Sequence, residues 1–163
     1  MKEPLQTVLA NATILLAEDD NEDAFLMCRA FRKAHLLNPV IRVRNGEEAI
    51  AYLRGDGDYA NRERYPLPFL LLLDLKMPLA DGFDVLRWVR NQPDLKRMLV
   101  VVLTSSTHEP DVKKAYELGA NSYLTKPAGF DELTQLLNRL HGYWFMTNMS
   151  PDANAPTELE MAK

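Results

Sequence analysis

The sequence predicts an α/β fold in which one doubly wound parallel sheet of five strands carries helices on both faces. Two observations lead to this prediction. Short apolar runs alternate with helical patterns five times along the chain, which favours parallel strands joined by right-handed crossovers. The run from Phe69 to Leu73 shows no polar alternation, and such a run is typical of a strand buried on both faces.

Caps and breakers divide the first half of the chain. Asp20 or Asn21 can cap the first helix, because both side chains can accept a hydrogen bond from a free N–H of the first turn. The Asn38-Pro39 pair separates this helix from the second strand. Asn45 and Glu48 have the spacing of a capping box, which places the start of the second helix there.

Proline and glycine also mark the boundaries in the second half. Residues 54–68 hold several charges, glycines and prolines, so we expect an extended surface loop. The third helix should end at Gln92-Pro93, and Gly119 supplies the left-handed stop of the fourth. The predicted strands are 13–17, 40–43, 69–73, 99–103 and 121–124, and the predicted helices are 21–36, 47–53, 83–91, 110–118 and 130–146.

Composition restricts the class of protein. A chain of 163 residues with 47% hydrophobic residues suits one soluble domain, and a net charge of −4 argues against nucleic-acid binding. No apolar run is long enough to cross a bilayer, and no signal-peptide region is evident, so we expect a cytoplasmic protein without membrane contact. Cys28 is the single cysteine, which excludes an internal disulfide. The expected organisation is an arm of residues 1–11, a folded domain of 12–146 and a disordered tail of 147–163.

Polar groups follow four of the predicted strands. Asp74 follows the central strand, and taken alone it could simply cap a turn. In doubly wound sheets, however, the carboxyl ends of the strands converge on one crevice. The other strand ends offer Glu18 and Asp19, Thr104, and Lys126.

These residue types together suit phosphoryl chemistry. Three carboxylates in one crevice repel one another and call for a cation, and hard oxygen ligands suit Mg²⁺. Lys126 offers a point charge and Thr104 a hydroxyl donor to phosphoryl oxygens. Formation of an aspartyl phosphate on Asp74 needs a nucleophile with these groups around it.

The constellation resembles the receiver domain of bacterial two-component response regulators, over about residues 12–146. The segments that carry the resemblance are Glu18-Asp19, Asp74 to Gly82, Thr104-Ser105 and Lys126-Pro127. The resemblance implies the flavodoxin-like strand order 2-1-3-4-5. It also implies Asp74 as phosphoacceptor, Asp19 and Asp74 as Mg²⁺ ligands with the Lys76 backbone carbonyl, Glu18 as a ligand largely through water, Thr104 and Lys126 as phosphate-sensing groups, and Tyr123 as an aromatic switch.

Three further segments refine or qualify the resemblance. Lys76 stands where family members often carry Asn, although a backbone carbonyl ligand tolerates any side chain. The charged loop with Tyr59-Ala60-Asn61 and the aromatic run Tyr143-Trp144-Phe145 resemble small single-domain regulators that partner phytochrome-type histidine kinases. The apolar excess at residues 143–146 could form a homodimer patch or could only cover the underside of the sheet.

The resulting prediction is a stand-alone receiver that accepts a phosphoryl group from a sensor histidine kinase and signals through protein contacts. It is not expected to be a turnover enzyme. Two alternatives stay open. One is a Mg²⁺-dependent aspartyl-phosphate phosphatase, which would generally need an acidic residue where Lys76 stands. The other is a receiver-like interaction module that is not phosphorylated, which the intact Asp74, Thr104 and Lys126 disfavour.

Overall fold

Five parallel strands form a single sheet. They are β1 (Ile14–Ala17), β2 (Val40–Val43), β3 (Leu70–Leu73), β4 (Leu99–Thr104) and β5 (Ser122–Thr125). Their order across the sheet is β2-β1-β3-β4-β5. The computed structural model describes Leu9 and residues 11–149. Ile14 of β1 pairs with Val40 of β2 on one side and with Leu70 of β3 on the other. The parallel sheet and its order are therefore as predicted.

From Ile14 to Met149 the structure describes five α-helices that connect and follow the strands, and two of them end differently from the prediction. They are α1 (Asn21–Lys33), α2 (Gly46–Arg54), α3 (Gly82–Asn91), α4 (Glu109–Glu117) and α5 (Phe130–His141). The first ends at Lys33 rather than near residue 36, because the chain reverses at His35, whose φ is 57°. The last changes to a π-helix over Gly142–Thr147, so Thr147 belongs to this helix and not to the predicted tail. Residues 150–163 of that tail, and residues 1–8 and 10 of the predicted arm, lie outside the described residues.

The helices bury both faces of the sheet in two separate hydrophobic clusters. Leu71 and Leu73 of β3 face the cluster that α2, α3 and α4 cover. Leu70 and Leu72 face the opposite cluster, which α1 and α5 cover. Because successive side chains of a strand point to opposite faces, a strand covered on both sides needs an unbroken apolar run. This accounts for the sequence from Phe69 to Leu73.

The segment 54–68 is tied to the domain, which corrects the expectation of an extended surface loop. It contains a 3-10 helix, Gly57–Ala60. The rings of Tyr59 and Tyr65 pack on each other and on Tyr52 of α2, with centroids 5.0–6.0 Å apart. The Arg62 guanidinium donates to the carbonyl oxygens of Tyr52 at 2.8 Å and Leu53 at 2.9 Å, which satisfies the free end of α2.

The tyrosine cluster predicts a loss of stability at alkaline pH. Burial raises the pKa of Tyr52 and of Tyr59 to about 12, and for Tyr59 the hydrogen bond to Glu48 acts in the same direction. A raised pKa in the folded state stabilises the protein fully below the unfolded pKa of about 10. We expect the free energy of unfolding to fall as the pH rises from there through about 12. Urea unfolding across this range measures it.

A pair of phenylalanine variants isolates this effect. Tyr59→Phe should flatten the alkaline loss because it removes one of the shifted phenols. Tyr143→Phe makes the same chemical change at an exposed site outside the cluster and serves as the control. Equal pH dependence in the two variants would contradict the assignment to the cluster.

Candidate functional site at the carboxyl edge of the sheet

Polar side chains from four strand ends meet at the carboxyl edge of the sheet. Glu18 directly follows β1, Asp74 follows β3, Thr104 ends β4 and Lys126 follows β5. Glu18, Asp74 and Thr104 are only 1%, 8% and 1% exposed, so these polar groups lie within the fold rather than on its surface. The structure thus brings together the residues that the sequence places at the strand ends.

Lys126 lies at the centre of this group and contacts three carboxylates. Its ammonium nitrogen is 2.9 Å from Oδ2 of Asp74 and 3.1 Å from Oδ2 of Asp23, and it also donates to Oε2 of Glu18. Asp23 was missed by the sequence reasoning. It lies in the acidic first turn of α1, where carboxylates are common because they favour the helix dipole, so nothing in the sequence marked it.

The protonation behaviour of the site follows from burial and from Lys126. Burial raises the pKa of Glu18 to about 7, although its hydrogen bond with Lys126 acts against this. Burial also raises the pKa of Asp74, but the hydrogen bond and charge of Lys126 outweigh it and the net direction is downward. The same two carboxylates raise the pKa of Lys126 against the effect of burial. Asp74 is therefore held ionised beside a charged ammonium.

The carboxylates also form a donor set that fits a divalent cation. One oxygen each of Glu18, Asp19 and Asp74 lies within 4.8 Å of the others. Asp19 is exposed, whereas the other two are buried, so the set opens to solvent on one side. Lys76 has an exposed side chain, and its N–H donates to Oδ1 of Asp74 at 3.4 Å. An all-oxygen, acidic set of this kind suits Mg²⁺ or a similar hard ion.

Two glycines allow the loop after Asp74 to pack closely. A Cβ at Gly82 would lie 2.3 Å from the carbonyl oxygen of Asp74, and one at Gly46 would lie 2.1 Å from that of Ala80. The N–H of Gly46 donates to that same Ala80 oxygen at 3.0 Å. Asp81 closes the loop as the N-cap of α3 in a capping box. The position of Asp74 is thus fixed by contacts at both ends of the loop.

Tyr123 is connected to the segment that follows Thr104. Its hydroxyl donates to the carbonyl oxygen of Ser106 at 2.8 Å, and its ring is half-buried against the α2–α4 side of the core. The N–H of Ser106 in turn lies 3.5 Å from the Thr104 hydroxyl oxygen. The predicted switch residue is therefore two hydrogen bonds away from the predicted phosphate-sensing hydroxyl.

The aromatic run that follows α5 divides into a buried and an exposed part. Phe145 is buried, stacks on His141 with ring centroids 4.8 Å apart and packs edge-on against Phe69. Tyr143 and Met146 are 54% and 49% exposed. Part of the apolar excess therefore covers the core, and the remainder faces outward.

The strand order and the fold match those of a known response regulator structure. The family model described as response regulator receiver domain matches residues 14–138. The chain belongs to this family. Within the described part of the chain, no helix combines the length and apolar character that a membrane span requires.

The chain covers nearly the whole length of several known response regulators. Response regulator Rcp1 of Synechocystis sp. is 39% identical over 140 residues, which are 86% of this chain and 93% of the relative. The crystal structure of the phosphorylated cyanobacterial phytochrome response regulator RcpA superposes with a TM-score of 0.80 at 39% identity, covering 86% of this chain and 99% of that one. A Mn²⁺-bound form of Rcp1 superposes with a TM-score of 0.76 at 38% identity, with coverages of 86% and 99%.

Proposed function

We propose that this chain is a single-domain response regulator that accepts a phosphoryl group on Asp74 from a phytochrome-type sensor histidine kinase. The observation that carries the proposal is the contact of one ammonium, that of Lys126, with the carboxylate of Asp74 at the acidic edge of the sheet. The likeness to a phosphorylated phytochrome response regulator supports both the reaction and the kind of partner.

The transfer requires position and charge compensation more than covalent chemistry from other groups. A carboxylate oxygen of Asp74 attacks the phosphorus of a phosphohistidine, an oxygen–phosphorus bond forms and the phosphorus–nitrogen bond breaks. The histidine nitrogen leaves with the electron pair, and Asp74 becomes an acyl phosphate. Lys126 and Thr104 then donate hydrogen bonds to the phosphoryl oxygens.

The acidic residues are proposed to hold Mg²⁺ for this step. Asp19 and Asp74 would bind through carboxylate oxygens, Lys76 through its backbone carbonyl and Glu18 largely through water. The cation supplies charge neutralisation for the phosphoryl oxygens. The acidic donor set and the Mn²⁺-bound relative both support a divalent ion at this place.

The output is proposed to be a change in protein contacts. Phosphorylation draws Thr104 and Lys126 toward the phosphoryl group, and the hydrogen-bonded path from Thr104 to Tyr123 shifts the populations of the α4–β5–α5 face. A homodimer through residues 143–146 is part of the proposal, because Tyr143 and Met146 are exposed there. Sedimentation of the phosphorylated and unphosphorylated forms as monomers would contradict the dimer.

Incubation with a small phosphodonor tests the proposed reaction. In the presence of Mg²⁺ the intact mass should rise by one phosphoryl group, and excess chelator should prevent the rise. Donor consumption is followed in the same samples. Rapid consumption over many turnovers would instead favour the phosphatase, and an unchanged mass with an intact donor would favour the unphosphorylated interaction module.

A further inference from the structure

Arg42 connects the edge strand of the sheet to the loop that carries two of the acidic residues. It lies in β2, half-buried, next to β1 in the sheet. Its Nε donates to the carbonyl oxygen of Glu18 at 2.9 Å, and one terminal nitrogen donates to that of Asp19 at 3.0 Å. The other terminal nitrogen donates to Oδ1 of Asn21 at 2.9 Å. One planar guanidinium thus bonds two residues of the loop, Glu18 and Asp19, and the first residue of α1.

Apart from Arg42, the loop around Asp19 is held by a hydrogen bond from the N–H of Asp20 to Oε1 of Glu18 at 3.1 Å. Glu18 is held by the sheet through its N–H and by Lys126 through its carboxylate. Asp19 is exposed, and within residues 11–149 its carboxylate makes no hydrogen bond. The direction of its side chain is therefore set by its backbone, and the carbonyl of that backbone is held by Arg42.

Convergence of the carboxylates has an electrostatic cost before a cation arrives. Oxygens of Glu18, Asp19 and Asp74 lie within 4.8 Å of one another, and like charges at this distance repel. Lys126 contacts Glu18 and Asp74 and compensates part of this repulsion, but it makes no ion pair with Asp19 among the described residues. A free loop would relieve the repulsion by turning Asp19 outward. Arg42 opposes this movement through its hydrogen bonds, and its positive charge next to the loop lowers the repulsion.

We propose that Arg42 is a positioning residue that preorganises Asp19 and Glu18 for a divalent cation without touching the cation itself. Groups that orient metal ligands through hydrogen bonds typically change metal affinity 10–100-fold when they are removed. The inference rests on the proposed function, since it concerns the same site.

Isothermal titration with Mg²⁺, in the absence of any phosphodonor, tests the inference. Arg42→Gln should weaken Mg²⁺ binding about tenfold. The matched control is Arg44→Gln, which removes the same charge from an exposed position two residues further along the chain. It should bind Mg²⁺ within about twofold of the wild type, because exposed charges are largely screened by salt.

Two further measurements separate positioning from a general effect on folding. Arg42→Lys keeps the positive charge, so the variant should fold. A lysine ammonium cannot form the three hydrogen bonds of the planar guanidinium, so the variant should bind Mg²⁺ more weakly than the wild type. At saturating Mg²⁺ the phosphoryl uptake of Arg42→Gln should return to the wild-type rate, because Arg42 does not contact the reacting groups.

The outcomes distinguish this inference from the proposed function. Mg²⁺ binding by Arg42→Gln and Arg42→Lys equal to that of Arg44→Gln would overturn the role of Arg42 and leave the proposed function standing. Failure of the wild type to bind Mg²⁺ would overturn the proposed function itself. A rate that stays low at saturating Mg²⁺ would also overturn the inference, since it would place Arg42 in a later step.

Discussion

Asp74→Asn is expected to abolish phosphoryl uptake completely. The amide has nearly the shape of the carboxylate but is neutral and a poor nucleophile, so no acyl phosphate can form. The structure predicts that the variant still folds, because Lys126 keeps its contacts with Glu18 and Asp23. Intact mass after incubation with a small phosphodonor and Mg²⁺ measures the loss, and circular dichroism verifies the fold.

An aspartate elsewhere provides the control for this experiment. Asp58 is exposed in the 3-10 helix of the segment 54–68, so Asp58→Asn makes the same chemical change away from the site. It should gain one phosphoryl group at the wild-type rate. Phosphoryl uptake by a folded Asp74→Asn protein would show that another residue is the acceptor.

Lys126→Met is expected to cause the largest loss of stability among single substitutions at the site. Glu18 and Asp74 would remain buried beside each other without their cation. Removal of one partner from a buried ion pair typically costs about 3–5 kcal/mol, and the Lys126 side chain is only 14% exposed. Urea unfolding in the presence of a chelator should show a decrease of about this size. Added Mg²⁺ should recover much of it, because a divalent ion can neutralise the same carboxylates.

Lys33→Met is the matched control for the lysine. Lys33 pairs with Asp131 at 2.8 Å, but the two side chains are 56% and 76% exposed. Solvent screens exposed pairs of this kind, so the loss should be small and independent of Mg²⁺. Similar losses in the two variants, or a Lys126→Met loss that Mg²⁺ leaves unchanged, would show that Lys126 does not compensate the acidic cluster.

Much of the fold follows from local sequence patterns. Four of the five strands are mainly apolar runs with clear breakers, and the caps at Asp20 and Asn45 are short-range signals. The convergence of Glu18, Asp74, Thr104 and Lys126 follows from the parallel arrangement alone, since all parallel strands end at one edge. The strand order itself came from the family resemblance, and the structure agrees with it.

Features that depend on contacts distant in sequence could not be predicted in this way. Asp23 reaches Lys126 from another element, and Arg42 acts on a loop that precedes it by more than twenty residues. The segment 54–68 is ordered by the packing of Tyr59 and Tyr65 on α2, for which composition gives no signal. The end of α1 at Lys33 depends on the left-handed backbone of His35, a conformation that non-glycine residues adopt uncommonly.

The contacts of Lys126 also determine when the acidic edge of the sheet is completed during synthesis of the chain. Its carboxylate partners precede it by 108, 103 and 52 residues. Such non-local contacts close large loops and are completed late in folding. A nascent chain on the ribosome therefore displays Asp74 long before Lys126 has emerged. The ion pairs around Lys126 are therefore completed only after β5 has been synthesised and has paired with β4.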